Sequence, residues 1–300
     1  MHIQLQRGAV GLWALMLPAA AFAGLDIVVV EAAPPACLAC PSTIDVPGGP
    51  TVLGDAGGPA AERPPVPQVI APFTIAQAEI TVGEIRRFEA SSGQRIARGC
   101  WIWTPEGRMR FRDAAYWGDP GYAVSDDMPA SCLNWEDAVA YTEWLTAEDP
   151  GATWRLPTEA EFEYLSRAGR REPYPWDGGL AAICEQVNGA DASSRFRWRN
   201  TACEDGAPVP ISVTAFPVNA YGVSHVIGNV WEWVADCYNE THSGAPTDGS
   251  VRETGLCASR VLRGGSWDDP VENLRASYRV AIPKDRRQAN IGFRPVREVD

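Results

Sequence analysis

Between Ser266 and Asn290 the sequence gathers residue types that can do chemistry: Ser266, Asp268 and Asp269 in close succession, then Arg275, Tyr278, Arg279 and Asn290. Adjacent carboxylates serve as a general base or as hard oxygen ligands for a metal. Tyr278 can donate a proton or pass an electron, and Arg275 with Arg279 can hold an anionic substrate through charge-assisted hydrogen bonds. The same residues admit a structural reading, in which the two arginines pair with internal carboxylates and Asn290 binds loop carbonyls. Trp267 lies in the same stretch, and the 12 tryptophans of the chain fit either an aromatic-lined groove for peptide or glycan or large core fillers.

Eight cysteines all follow residue 23. An even count in an oxidising compartment favours disulfides over free thiols. Eight cysteines allow about a hundred connectivities, and the shortest loops pair Cys100 with Cys132, Cys184 with Cys203 and Cys237 with Cys257. Cys37-Leu-Ala-Cys40 has the spacing of redox and zinc sites but lacks a strand-to-helix context and a second ligand pair. It reads as a local disulfide in a flexible N-terminal arm, with a redox or metal-transfer role as the alternative.

Arg7 precedes an apolar run over residues 9–23 that ends in Ala21-Phe22-Ala23, the pattern of a cleaved signal peptide. The run is shorter than the roughly 20 residues that span a bilayer, and no later segment is apolar enough to anchor the protein. The expectation is a soluble, periplasmic or secreted protein: residues 1–23 signal, 24–42 an arm carrying the CxxC, 43–298 a single domain. The formal charge of -12 argues against nucleic acid or anionic lipid as partners, which reward basic faces.

The elements that must position these residues are sparse, since 28 glycines and 25 prolines interrupt the chain. Three helices are marked by capping boxes: Thr81 with Glu84, Asn134 with Asp137, and Thr158 with Glu161. Their inward stripes are Ile85 and Phe88; Ala138, Tyr141, Trp144 and Leu145; and Phe162 and Leu165, the last helix closing at Gly169. Strands are expected over 44–53 across a Gly48-Gly49 turn, over 73–80, 230–234 and 261–263, and as a pair around 277–280 and 293–296. Residues 57–72 read as an exposed, proline-rich connection.

Five motifs occur in one order: Val46-Pro47-Gly48-Gly49, Arg155-Leu156-Pro157-Thr158-Glu159-Ala160-Glu161, GNVWEW at 228–233, RVLRGGSW at 260–267 and NIGFR at 290–294. In these the chain resembles the formylglycine-generating enzyme family of sulfatase-modifying-factor type. The resemblance implies an α+β, C-type-lectin-like fold with little regular secondary structure, stabilised by disulfides and calcium. It implies one pocket for the Ser266 to Asn290 residues, with Trp231 beside them. It also implies two structural calcium sites, the first from Asn188 and Asp205 side chains with the carbonyls of Gly189 and Ala207. The second would use Glu232 with the carbonyls of His225, Gly228 and Val230. Glu232, between two indoles in an alternating run, should point away from both, as a calcium ligand or a surface acid.

The family's two active-site cysteines would fall at Asp269 and Leu274, so this sequence departs from the family where its best-known chemistry resides. Without those thiolates a copper site of the formylglycine-generating type has no soft ligands, and sulfatase activation is not expected. The three-histidine iron site of ergothioneine-type sulfoxide synthases is excluded too, because only His225 and His242 follow the signal segment. A third branch, resembling periplasmic proteins of siderophore (pyoverdine) maturation, also lacks the cysteine pair. Two readings follow: an exported enzyme that oxidatively modifies a peptide or peptide-like metabolite, its redox metal unknown, or a non-catalytic, calcium-stabilised, lectin-like binding module.

Overall fold

Residues 37–299 are described by the computed structural model, so the expected signal segment and most of the arm before Cys37 lie outside the described residues. In chain order the elements begin with β1 (Thr43–Val46), β2 (Gly49–Leu53), β3 (Val66–Ile70) and β4 (Phe73–Ala76). They continue with α1 (Val82–Ser92), β5 (Cys100–Trp103), β6 (Met109–Arg112), α2 (Trp135–Glu148), β7 (Ala152–Arg155), α3 (Glu159–Arg167) and α4 (Ile183–Gln186). They finish with β8 (Trp231–Tyr238), β9 (Leu256–Arg263), β10 (Arg279–Pro283), β11 (Ile291–Gly292) and β12 (Val296–Val299). The class is α+β, with long irregular stretches between short elements.

All three expected capping boxes form, and α1, α2 and α3 start where they place them. In each, the cap side chain accepts a backbone N–H while the acidic residue three positions on accepts the cap's own N–H, satisfying donors the first turn leaves free. The end of α3 differs by one residue from expectation. Ala168 already takes the left-handed conformation, and its N–H donates to the Tyr164 carbonyl before Gly169 is reached.

Strand partners differ more. The two halves of segment 44–53 do not pair with each other: β1 joins the sheet β1-β4-β12-β7, while β2 pairs with β3. Gly48 is where they part, in a passage so close that a Cβ there would lie 2.5 Å from the Ile70 carbonyl oxygen. The stretch 57–72 is therefore more than an exposed connection, since it supplies β3 and a short 3-10 turn bearing the fully buried Glu62. The segments around 277–280 and 293–296 do not pair either. β10 lies on β9 within the sheet β10-β9-β8-β11, and β12 lies between β4 and β7.

β8 is buried on both faces, which explains how GNVWEW carries both large indoles and an acid inward. Trp231 and Trp233 join a cluster with Phe88, Tyr141, Trp144 and Phe293, and Val234 joins one with Ile75, Phe162, Val261 and Val296. Four disulfides close short loops: Cys37–Cys40, Cys100–Cys132, Cys184–Cys203 and Cys237–Cys257. The CxxC segment is not a free arm, because Ala39 and Cys40 pack against the first cluster.

Candidate functional site

The site is built on the turn that follows β9. Gly264 and Gly265 both have positive φ, 92° and 76°, and a Cβ on Gly265 would come within 2.5 Å of Leu274 Cδ2. Only glycine fits there, and the tight passage swings Ser266 inward, fully buried. Its hydroxyl contacts Asp268 Oδ1 and, at 2.6 Å, Asp269 Oδ2, which also accepts the Ser266 N–H at 3.0 Å.

One hydroxyl carries one proton and so donates to one of these carboxylates. Asp268 is the better acceptor, since Asn290 Nδ2 donates to both its oxygens at 2.9 and 3.1 Å and the Trp103 indole N–H donates to Oδ2. Asp269 then stands 2.6 Å from a hydroxyl oxygen, a distance best met when Asp269 itself carries a proton and donates it. Burial and the neighbouring Asp268 charge push the Asp269 carboxyl up to about 7. Burial raises Asp268 as well, but its three donor groups favour its ionised form, so the first ionisation of the pair belongs there. The arrangement is a saturated carboxylate holding a reactive one that is half-buried.

Around Asp269 stand Trp231 and Tyr278, whose rings lie 5.7 Å apart. Tyr278 is half-buried, and burial together with Asp269 raises its phenol, so it remains a proton donor at neutral pH. Trp103 and Trp198 complete the frame: the Trp198 indole donates to the Asp268 carbonyl at 2.7 Å, and Phe196 stacks on Trp198 at 5.0 Å. Sequence reasoning missed both tryptophans. The alternation of Cys100-Trp101-Ile102-Trp103, with cysteine and isoleucine inward, is the signal that marks Trp103 as facing out of the core.

Several residues expected to touch substrate serve the fold instead. Arg275 makes a two-pronged pair with Glu62 at 2.6 and 2.7 Å, and Arg279 does the same with Glu159 at 2.5 and 2.9 Å. Both guanidiniums are engaged by internal acids, so the substrate-anion role is corrected to a structural one. Asn290 is buried and directed at Asp268. Trp267, 1% exposed, is a core residue packed on Phe196 and Tyr122. Leu274, where the resemblance puts the family's second cysteine, is fully buried between Gly265 and Gly189.

The first expected calcium set fits a cation. Asn188 Oδ1 is buried without a hydrogen-bond partner, although Nδ2 of the same amide donates to the Val209 carbonyl and Asn229 Oδ1. Asp205 accepts the N–H groups of Gly189 and Ala207 at 2.9 and 2.7 Å, and burial pushes its carboxyl up to about 7, with Asp191 adding repulsion. The adjoining Asp191 and Asp205 carboxylates and, beside Gly189, the orphaned Asn188 amide oxygen, with no basic side chain paired to them among the described residues, are hard oxygen donors of the kind calcium takes. Asp191, which also accepts the Asp205 N–H, joins this set without having been singled out by the sequence.

The second set does not fit a calcium ion as arranged. Glu232 is fully buried, so it is not a surface acid, and both its oxygens accept from Arg294 at 2.7 Å. Arg294 also donates to the Ser224 and His225 carbonyls at 2.9 and 3.2 Å, so the cation among these oxygens is a guanidinium. Glu79 stands 3.9 Å away, its Oε2 without a partner, and burial pushes its carboxyl up to about 8. Gly228 and Val230 contribute the tight turn and a buried side chain that lead into β8.

Among the described residues, no soft or imidazole donor set accompanies Asp269. Every described cysteine is in a disulfide. His225 packs edge-on against Phe216, and His242 lies by Glu159 at 3.8 Å, within the buried pairs of α3. The thiolate copper site and the three-histidine iron site of the resembling branches thus have no counterpart among the described residues.

Residues 29–299 match the family described as Sulfatase-modifying factor enzyme 1-like domain. The formylglycine-generating enzyme of Streptomyces coelicolor is 31% identical over 295 residues, spanning 86% of this chain and 89% of that protein. Hercynine oxygenase of Mycolicibacterium smegmatis is 28% identical over 281 residues, spanning 84% of this chain and 60% of its own length. Among solved structures, PvdO from Pseudomonas aeruginosa is similar with a TM-score of 0.75 at 32% identity, covering 88% of this chain and 96% of that one.

Proposed function

The chain belongs to the sulfatase-modifying factor enzyme 1-like domain family, and from that premise we propose that it oxidises a peptide or peptide-like metabolite using Asp269 where relatives use a thiol. The observation that carries this reading is the Asp269 carboxyl itself. It is half-buried at the position of the family's first active-site cysteine, with a pKa of about 7 and Tyr278 and Trp231 against it. A base with that affinity is divided between its two forms at neutral pH, the condition in which general base catalysis is most effective.

In the proposed reaction the ionised Asp269 removes a proton from an electron-rich substrate, and the substrate then gives up two electrons. Dioxygen is the acceptor and leaves as hydrogen peroxide, taking the two electrons and two protons from the substrate, one proton by way of Asp269 and the other released directly from the oxidised substrate. Tyr278 holds a proton at the site, and the indoles of Trp103, Trp198 and Trp231 shield the reacting atoms from water. Activation of sulfatases is not part of the reading, because Leu274 replaces the second thiol and no described cysteine is free.

The Asn188, Asp191 and Asp205 set would hold calcium, which supplies order rather than chemistry by tying two loops together. We place the protein in the periplasm or outside the cell, a reading supported by the signal-like residues 1–23 and the four disulfides. Siderophore precursors and exported peptides are the substrates to try first. Mass spectrometry of such compounds after incubation with the protein in air should show loss of two hydrogens, absent with Asp269→Asn.

One observation favours the alternative, a binding module without chemistry: Arg275, Arg279, Asn290 and Asp268 are all engaged internally. Saturable binding of a peptide with no product and no oxygen uptake, across the same compounds, would establish that alternative and remove the oxidative reading.

A further inference from the structure

On the face of β5 that also carries Trp103 lies a cleft of about 350 Å³ lined by Trp101, Phe111, Arg98, Arg286, Arg287 and the carboxylate of Asp285. Trp101 and Trp103 are two residues apart on the strand, so their side chains point the same way about 7 Å apart. Trp103 reaches Asp268 while Trp101 forms the cleft wall. The Arg286 guanidinium sits 4.5 Å from the Trp101 ring centre, and Phe111 meets the same indole edge-on at 5.8 Å.

About half of the described guanidiniums are neutralised by a carboxylate, among them two near this cleft, Arg287 by Asp137 at 2.7 Å and Arg112 by Asp119 at 2.8 Å. Arg98 and Arg286 are not, among the described residues. Arg98 is held over Tyr116 at 4.1 Å and donates to the Ala114 carbonyl, while Arg286 Nε is buried without any partner. A cation left unpaired and partly desolvated against an aromatic wall, in a protein of formal charge -12, is a site that an anion completes.

We propose that this cleft binds a planar carboxylate group of the substrate, its ring or acyl plane against Trp101 and Phe111 and its charge between Arg286 and Arg98. The word substrate rests on the oxidative reading above; the preference of the cleft for an aromatic or acyl carboxylate does not. The cleft would hold such a group roughly two strand residues from the Asp268–Asp269 turn, fixing which part of a longer molecule meets Asp269.

The test uses the mature protein with benzoate and its neutral analogue benzamide as probes, followed by saturation-transfer NMR and tryptophan fluorescence. Benzoate should bind saturably and more weakly at high salt, and benzamide should bind at least about tenfold more weakly. Arg286→Gln and Arg98→Gln should each lower benzoate affinity, Arg286→Lys should retain part of it, and Arg110→Gln on the neighbouring strand should leave it unchanged. Near-ultraviolet circular dichroism reports whether each variant is folded. Equal affinity for the two probes, or full benzoate binding in folded Arg286→Gln, overturns the proposal. Asp269→Asn should bind benzoate as well as the unaltered protein does. Benzoate binding without any oxidised product would leave the cleft standing and remove the oxidative reading, whereas Asp269-dependent turnover with no benzoate binding would do the reverse.

Discussion

The Ala190 N–H donates to the Asp269 carbonyl at 3.0 Å, and the two chain segments run as a parallel bridge between Ala190 and Pro270. Ala190 lies between Gly189, whose N–H binds Asp205, and Asp191, whose carboxylate accepts the Asp205 N–H. The oxygen-rich loop pair is therefore one hydrogen bond away from the residue proposed to do the chemistry.

Calcium should stabilise this protein and shape its site together. Saturating calcium over a chelated sample should raise the melting temperature by roughly 5–10 °C, the size expected when ligand stands about a hundredfold above its dissociation constant in a domain of this length. Asp205→Asn should lose most of that rise and perturb the Trp198 and Trp231 fluorescence. Differential scanning calorimetry with and without chelator measures it, and identical transitions would exclude the ion.

Asp269 should set the pH profile of turnover. With a folded pKa of about 7, the base form grows as pH rises, so kcat/KM should climb with pH and level off above about 7. Stability should move the other way. The folded state keeps its proton at pH values where the unfolded carboxyl has lost it, so the stability from the protonated form falls as pH rises from the ordinary carboxylate range to about 7. Asp269→Asn should abolish turnover while melting above the unaltered protein at pH 8, a gap that closes at pH 4. A variant that loses activity only by unfolding would contradict this.

The Glu79, Glu232 and Arg294 cluster holds two buried acids against one guanidinium, the excess being balanced by a proton on Glu79, whose pKa is about 8. Its raised pKa again means stability that is lost as pH climbs toward 8. Glu79→Gln should be nearly neutral at pH 6 and stabilising at pH 9. Arg294→Met should destabilise by about 3–5 kcal/mol, because it leaves Glu232 buried and unpaired. Urea unfolding at the two pH values distinguishes them, and a Glu79→Gln variant weaker at pH 9 would refute the assignment.

Legibility in the sequence followed the range of the interaction. Thr81, Asn134 and Thr158 bind donors three residues ahead, so the sequence window that contains the cap also contains its partner, and α1, α2 and α3 could be placed without a fold. The disulfides with sequence separations of 32, 19 and 20 were likewise the shortest closures available. Strand pairing was not legible in the same way, because Gly48-Gly49 resembles a local turn while its two strands find partners in different sheets.

The site divided along the same line. By itself the sequence determined that two adjacent carboxylates, Asp268 and Asp269, follow Ser266 and Trp267, that no cysteine lies between Ser266 and Asn290, and that tryptophans crowd the chain. Only the tertiary structure decided that Arg275 belongs to Glu62, 213 residues away, and Arg279 to Glu159, 120 residues away, withdrawing both from any ligand. It also decided that Asp268 is saturated while Asp269 is not, since Trp103 and Asn290 reach the turn from distant segments. The reason is physical: a buried charge takes the partner that folding brings within about 3 Å, and sequence spacing carries no record of that choice.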